Sequence, residues 1–234
     1  MGGIIMKKIM FNDKFGLTQA VLEGRKTMTR RIIEIGEYVS FPIIRFRPLE
    51  DWEKKVVNPN YVFNGHVYAV YNELDLLCHL VKPRYKVGEV VAIAQSYMDV
   101  DQFHRKGKNA AYLEYLDSIL PKLKLYPGWG NKMFVKADLM PHHIKITGIK
   151  VERLQDISDE DCLKEGIVKQ EVISDESPFL YAYDAFLNGD NKYFASRWFK
   201  SPKEAFAALI DKVSGKGVWE SNPFVFCYEF VLVD

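Results

Sequence analysis

Apolar residues recur in this chain with two periods. A period of two, or a short continuous apolar run, marks Lys8-Ile9-Met10-Phe11, residues 67–73 (VYAVYNE), residues 87–93 (VGEVVAI), residues 143–158 (HIKITGIKVERLQDIS) and residues 223–233 (PFVFCYEFVLV). Each reads as a strand. In the fourth, Ile144 and Ile146 share a face and Gly148 marks a bend. In the last, Phe224, Phe226, Tyr228 and Phe230 share one face while apolar residues also fill the other, the pattern of a central strand.

Helical spacing appears in four places. Phe15, Ala20, Val21 and Leu22 suit a short amphipathic helix that Gly24 ends. Ala110 to Leu120 carries Leu113, Leu116 and Leu120 near one face, with Pro121 as the expected stop. Ser158 is an N-cap with Asp161 three residues on, opening a short helix that runs to Glu165 and stops at Gly166. Ser201, Pro202 and Glu204 stand as N-cap, N1 and N3 of a helix through about Val213, which turns Ala205, Phe206, Leu209 and Ile210 inward. Between the first helix stop and the next turn lies GRKTMTRRII at 24–33, a strand by its threonines and isoleucines. Asn58-Pro59-Asn60 and Asn64-Gly65 are turn material inside an inserted hairpin.

Many strands, few helices and no regular strand–helix alternation predict an α+β fold, a mixed or antiparallel barrel-like sheet with helices packed outside. Composition narrows the class further. Thirty-two basic residues stand against 31 acidic ones, a net charge of +1, which excludes a histone-like coat but leaves room for a local basic patch. No run reaches the length of a membrane span, and three scattered cysteines, Cys78, Cys162 and Cys227, predict reduced thiols in the cytoplasm rather than a disulfide framework. No cofactor is expected, because Gly215-Lys216-Gly217 lacks the glycines and hydroxyl of a phosphate loop. No metal is expected either: His66, His79, His104, His142 and His143 have no convergent spacing with cysteine.

The densest chemistry lies at 24–31, where Arg25, Lys26, Arg30 and Arg31 flank Thr27 and Thr29. Guanidinium forks bind phosphate bidentately and lysine supplies a mobile charge, so Arg25, Arg30 and Arg31 are candidate contacts to phosphate or nucleic acid. The plain alternative is an edge strand protected by charge. Extended geometry turns Lys26, Met28 and Arg30 one way and Thr27, Thr29 and Arg31 the other.

GRKTMTRR at 24–31 resembles the signature of the ASCH domains (ASC-1 homology) of the PUA-like superfamily. Three further segments agree in order: KVGEVVAIAQSY at 86–97, VERLQDISDEDCLKEGI at 151–167 and VWESNPFVFCYEFVLV at 218–233. The resemblance implies one PUA-like β-barrel domain over 1–234, with insertions near 36–80, 98–142 and 168–217 and a cleft that binds RNA or a modified nucleotide. One branch of the family deacylates N4-acetylcytidine with a lysine, a threonine and a glutamate. By motif these fall on Lys26, Thr29 and Glu165. Where many members carry arginine and glutamate, this chain has Ala94 and Gln95, so its cleft holds two charges fewer.

Three readings follow. The first is a module that binds RNA, single-stranded nucleic acid or a modified nucleotide in a basic cleft. The second is an amidohydrolase, in which Thr29 Oγ attacks, Lys26 acts as base only if neutral, and Glu165 orients the amine or moves a proton. The third is a non-catalytic interaction or assembly protein. They separate on whether Lys26, Thr29 and Glu165 converge.

Overall fold

The computed structural model describes residues 6–35, 42–57, 66–107, 110–171, 179–182 and 198–233. In chain order the strands and helices are β1 (Lys8–Ile9), α1 (Leu17–Leu22), β2 (Met28–Ile32), β3 (Ile43–Pro48), α2 (Asp51–Val57), β4 (Tyr68–Asn72), β5 (Leu77–Val81) and β6 (Val90–Ile93). Then come α3 (Tyr97–Gly107), α4 (Ala110–Leu123), β7 (His143–Arg153), α5 (Asp159–Lys164), β8 (Val168–Glu171), β9 (Phe179–Ala182), α6 (Pro202–Ser214), α7 (Val218–Ser221) and β10 (Phe224–Leu232). The class is α+β. Residues 58–65, which hold the two predicted turns, and most of 172–197 lie outside the described residues.

A five-stranded sheet ordered β1-β6-β7-β10-β2 carries the core. Every neighbouring pair is antiparallel except β1 with β6. The expected central strand is β10: it lies between β7 and β2, with Val225, Phe226, Cys227, Tyr228 and Phe230 all buried. The bend at Gly148 coincides with a register shift, since Glu229 pairs with Gly148 but Phe230 with Ile146.

The barrel expectation needs correcting. The sheet is open, with β1 and β2 as its edges, and no closed barrel is found among the described residues. β1 has only two residues, too few to offer β2 a ladder. The sheet nevertheless curls until the Arg31 guanidinium on β2 donates to the carbonyl of Met10, just past β1, at 2.6 Å. Phe11 beyond β1 also meets Phe230 on β10, ring centroids 5.7 Å apart.

Two of the three expected insertions are described well enough to place. In the first, β3, β4 and β5 form a three-stranded antiparallel sheet that, with its flanking residues, buries Leu49, Val67 and Ala69 and lends Tyr68, Val70 and Val81 to the main core. Residues 97–140 pack α3 and α4 over a second small core of Tyr97, Val100, Leu116, Val135 and Met140. Pro121 does not stop α4, which runs on to Leu123. A proline in the last turn sacrifices one helical hydrogen bond, and the helix ends two residues later. The Leu120 side chain lies outside the described residues. Both predicted caps form: Ser158 Oγ accepts from Asp161 N–H, and Ser201 Oγ from Glu204 N–H. Among the described residues no helix is long and apolar enough to cross a membrane.

Candidate functional site

Backbone hydrogen bonds bring the basic strand to the acidic helix. Gly24, at φ +72°, reverses the chain after α1, and the Lys26 N–H then donates to Ala20 O at 2.9 Å. Thr27 N–H donates to Lys164 O at 2.9 Å, pinning the start of β2 against the end of α5. Gly166 follows at φ +99°, a conformation that glycine adopts without the penalty of a Cβ, and it packs against the Lys26 stem. Lys26 Nζ therefore meets Glu165 twice, donating to its carboxylate at 2.5 Å and to its carbonyl at 2.7 Å. Both side chains are buried.

Arg30 extends this contact into a network. Its guanidinium donates to Glu165 at 3.0 Å, to Asp161 at 3.1 Å and to Glu152 at 2.5 and 3.0 Å. Lys150 bridges Glu152 and Asp161 from outside, at 3.0 and 2.8 Å. Lys164 adds a longer pair to Asp161 at 3.5 Å, so Lys26, Arg30, Lys150 and Lys164 face Glu152, Asp161 and Glu165. For Glu152, burial works to raise the pKa, but hydrogen bonds from Arg30 and Lys150 outweigh it and hold the carboxyl below its ordinary value. At Asp161, burial is likewise overcome by Lys150 and Arg30. Burial depresses the Lys26 ammonium, and Glu165 pulls the other way without restoring it. Burial also disfavours the Arg30 charge, but Glu165 and Glu152 more than offset that and raise its pKa.

This arrangement revises the sequence reading at several positions. Arg30 is not a phosphate contact: it is 6% exposed and its donors are taken by three carboxylates. Arg25 is exposed and pairs with Glu23 at 2.6 Å, away from the network. Lys26 and Glu165 meet, but no hydrogen bond joins Thr29 to either among the described residues. Thr29 stands opposite Tyr228, and Arg31 opposite Phe226. Directly opposed residues share a face, so Thr29 and Arg31 look away from Arg30. Cys162 and Cys227 carry no reactive character: burial pushes the Cys162 thiol up to about 12 and raises Cys227 as well. No group of metal-ligating side chains is found among the described residues. Trp219 packs edge-on against Phe206, a core role.

Two hollows open on the other face of β2, and Arg31 and Met10 line both. The first, about 610 Å³, lies between the β2–β10 face and the β5 edge, lined by Arg31, Lys82, Arg84, Tyr85, Phe226 and Tyr228 among others. The second, about 980 Å³, runs past α1 to the segment after β6, lined by Thr18, Gln95, Ser96, Asp99, Asn131 and Lys132 among others. There the Gln95 Oε1 is buried without a hydrogen-bond partner among the described residues. Lys26, Thr29 and Glu165 line neither hollow. Arg31 reaches solvent inside this concavity. Partial burial lowers its pKa, Tyr85, Glu165 and Tyr228 oppose that, and Arg84 adds to the lowering. A guanidinium stays charged regardless.

Glu152, Asp161 and Arg84 were not singled out by sequence. An acid inside the apolar alternation of β7 was the one available signal for Glu152. Asp161 was visible only as a cap residue. Comparison of the chain with family models, with curated proteins and with solved structures returns no match.

Proposed function

We propose that this protein is a cytoplasmic module that binds RNA or a modified nucleotide in the cleft around Arg31, on a curled sheet read as an opened PUA-like barrel. One observation carries this reading. Arg31 stands exposed where two hollows meet and makes no ion pair with a carboxylate among the described residues, while its sequence neighbour Arg30 makes three. An unneutralised guanidinium in a concave, partly apolar site suits phosphate. The buried Gln95 Oε1 is an acceptor suited to the amine edge of a base.

Fluorescence anisotropy with a labelled single-stranded RNA, measured across salt concentrations, tests it. Binding is expected to weaken with salt. Arg31→Gln is expected to lose about tenfold in affinity and to lower the salt slope by about 0.7, the value of one single-strand phosphate contact. Salt-independent binding, or an Arg31→Gln protein with unchanged affinity, refutes the reading.

Deacylation is a second reading, favoured by the buried Lys26–Glu165 contact and the depressed Lys26 ammonium. Thr29 Oγ lacks a hydrogen bond to that pair, so attack requires the start of β2 to rearrange. Acetate release from N4-acetylcytidine in the same preparations, abolished by Thr29→Val, would favour this reading over simple binding.

A further inference from the structure

We infer that the hollow between the main sheet and the inserted three-stranded sheet is a seat for a phosphate monoester, with Arg31 and Arg84 as its two guanidinium ligands. The inference rests on the cleft reading above and narrows its ligand to one bearing a terminal phosphate.

The seat is built by two parts of the chain. Its floor belongs to the main sheet: Arg31 on β2, Phe226 and Tyr228 on β10. Its wall belongs to the insertion and the residues after it: His79, Leu80 and Val81 on β5, then Lys82, Arg84 and Tyr85. Tyr85 and Tyr228 meet edge to face, ring centroids 5.2 Å apart. Both hydroxyls bond to backbone groups. Tyr85 Oη donates to Lys8 O at 2.9 Å, and Tyr228 Oη accepts from the Arg84 N–H at 2.9 Å. The second bond fixes the Arg84 backbone directly above the floor.

Charge at the seat is one-sided. Among the described residues Glu34 is the one carboxylate in the lining, against Lys8, Arg31 and Arg84. Lys8 is turned away, its ammonium donating to Met133 O at 2.5 Å and Val135 O at 2.9 Å. Neither Arg31 nor Arg84 makes an ion pair among the described residues. Arg31 has one hydrogen bond, to Met10 O, and Arg84 lies over the Tyr85 ring at 5.7 Å. The tyrosines do not neutralise them, since burial pushes Tyr228 up to about 12 and raises Tyr85, leaving both phenols uncharged at neutral pH. Two exposed guanidinium groups facing one concavity repel each other until an anion sits between them. A phosphate monoester carries close to two negative charges at neutral pH and oxygens enough for both forks. The volume, about 610 Å³, falls in the range of small-molecule sites.

Isothermal titration with cytidine 5′-monophosphate, cytidine, ribose 5-phosphate and inorganic phosphate tests the seat. The variants are Arg84→Gln and, as a charge control outside the lining, Lys86→Gln. Arg84 is exposed and its backbone bond to Tyr228 survives substitution, so the variant is expected to fold; circular dichroism and the melting curve check this. The monophosphate is expected to bind about tenfold more tightly than cytidine, with Arg84→Gln erasing that difference and Lys86→Gln preserving it. If ribose 5-phosphate or phosphate alone binds as tightly with the same Arg84 dependence, the seat stands and the nucleobase part of the cleft reading falls. If RNA binds but Arg84→Gln changes nothing, the cleft reading stands and the seat is overturned. Equal affinity for cytidine and its monophosphate overturns the seat as well.

Discussion

Arg30 and Arg31 are adjacent in the chain, yet they face opposite sides of the sheet. Arg30 lies in a closed network of Lys26, Glu152, Asp161 and Glu165, its side chain 1% exposed. Arg31, one residue later, is exposed in an open concavity with Arg84 and without a carboxylate partner. An extended strand turns consecutive side chains to opposite faces, so one residue step separates the two fates. A saturated charge is held for the fold, because its donors have no capacity left for a ligand. An unsaturated one is available for binding. Density of positive charge in a motif therefore does not by itself locate an anion site. The number of carboxylates already facing each cation does.

The largest test of this contrast is Arg30→Met, which keeps a long side chain but removes the buried cation shared by three carboxylates, leaving them only their lysine partners. Breaking a buried ion network from one side costs about 3–5 kcal/mol, so urea denaturation is expected to show that loss. Arg31→Gln is expected to stay within about 1 kcal/mol of the parent while losing ligand affinity. If both variants unfold alike, the distinction between the two regions fails.

Acid pH probes the same network more gently. The folded pKa values of Glu152 and Asp161 lie below their unfolded ones, so the unfolded chain takes up protons first as pH falls. Their contribution to stability is full above the ordinary carboxylate range of about 4 and is lost as pH drops through the lower folded values. Melting temperature is expected to fall steeply below about pH 4 in the parent and less steeply in Arg30→Met, where Glu152 loses its guanidinium while Lys150 still holds Asp161 low. A parallel fall in both proteins would remove Arg30 as the cause.

The smallest effect is expected at Arg25. Its pair with Glu23 lies in solvent, where screening and side-chain entropy cancel most of the attraction. Arg25→Ala is expected to leave both melting temperature and RNA affinity unchanged within error. A clear drop in affinity would extend the anion-binding face beyond the Arg31 cleft and blur the comparison with Arg30.

Much of the fold was legible because its signals are local. Ser158 and Ser201 cap their helices through a hydrogen bond three residues away, and Gly24 and Gly166 end theirs by backbone conformation. The alternation of β7 and the two-faced apolar character of β10 follow from each strand's own residues. The closure of the sheet was not legible, since it depends on whether two strands at opposite edges are long enough to pair. The candidate site was legible in part. The resemblance put Lys26, Thr29 and Glu165 in one group, and the structure joins Lys26 to Glu165 while Thr29 faces the other way. The Arg84 side of the cleft had no local signal, because it becomes a wall only where the inserted sheet folds back over β10.

By itself the sequence determined the caps that open α5 and α6, the strand character of β7 and β10, and that Arg30 and Arg31 face in opposite directions, because backbone geometry and capping act within a few residues. Only the tertiary structure decided which of the two is neutralised. The carboxylates that close on Arg30 come from positions 122 to 135 residues away, on β7, on α5 and at the residue that ends α5. Charge pairing falls off within a few ångströms, so the packing of distant elements sets it and no reading of neighbours along the chain can supply it.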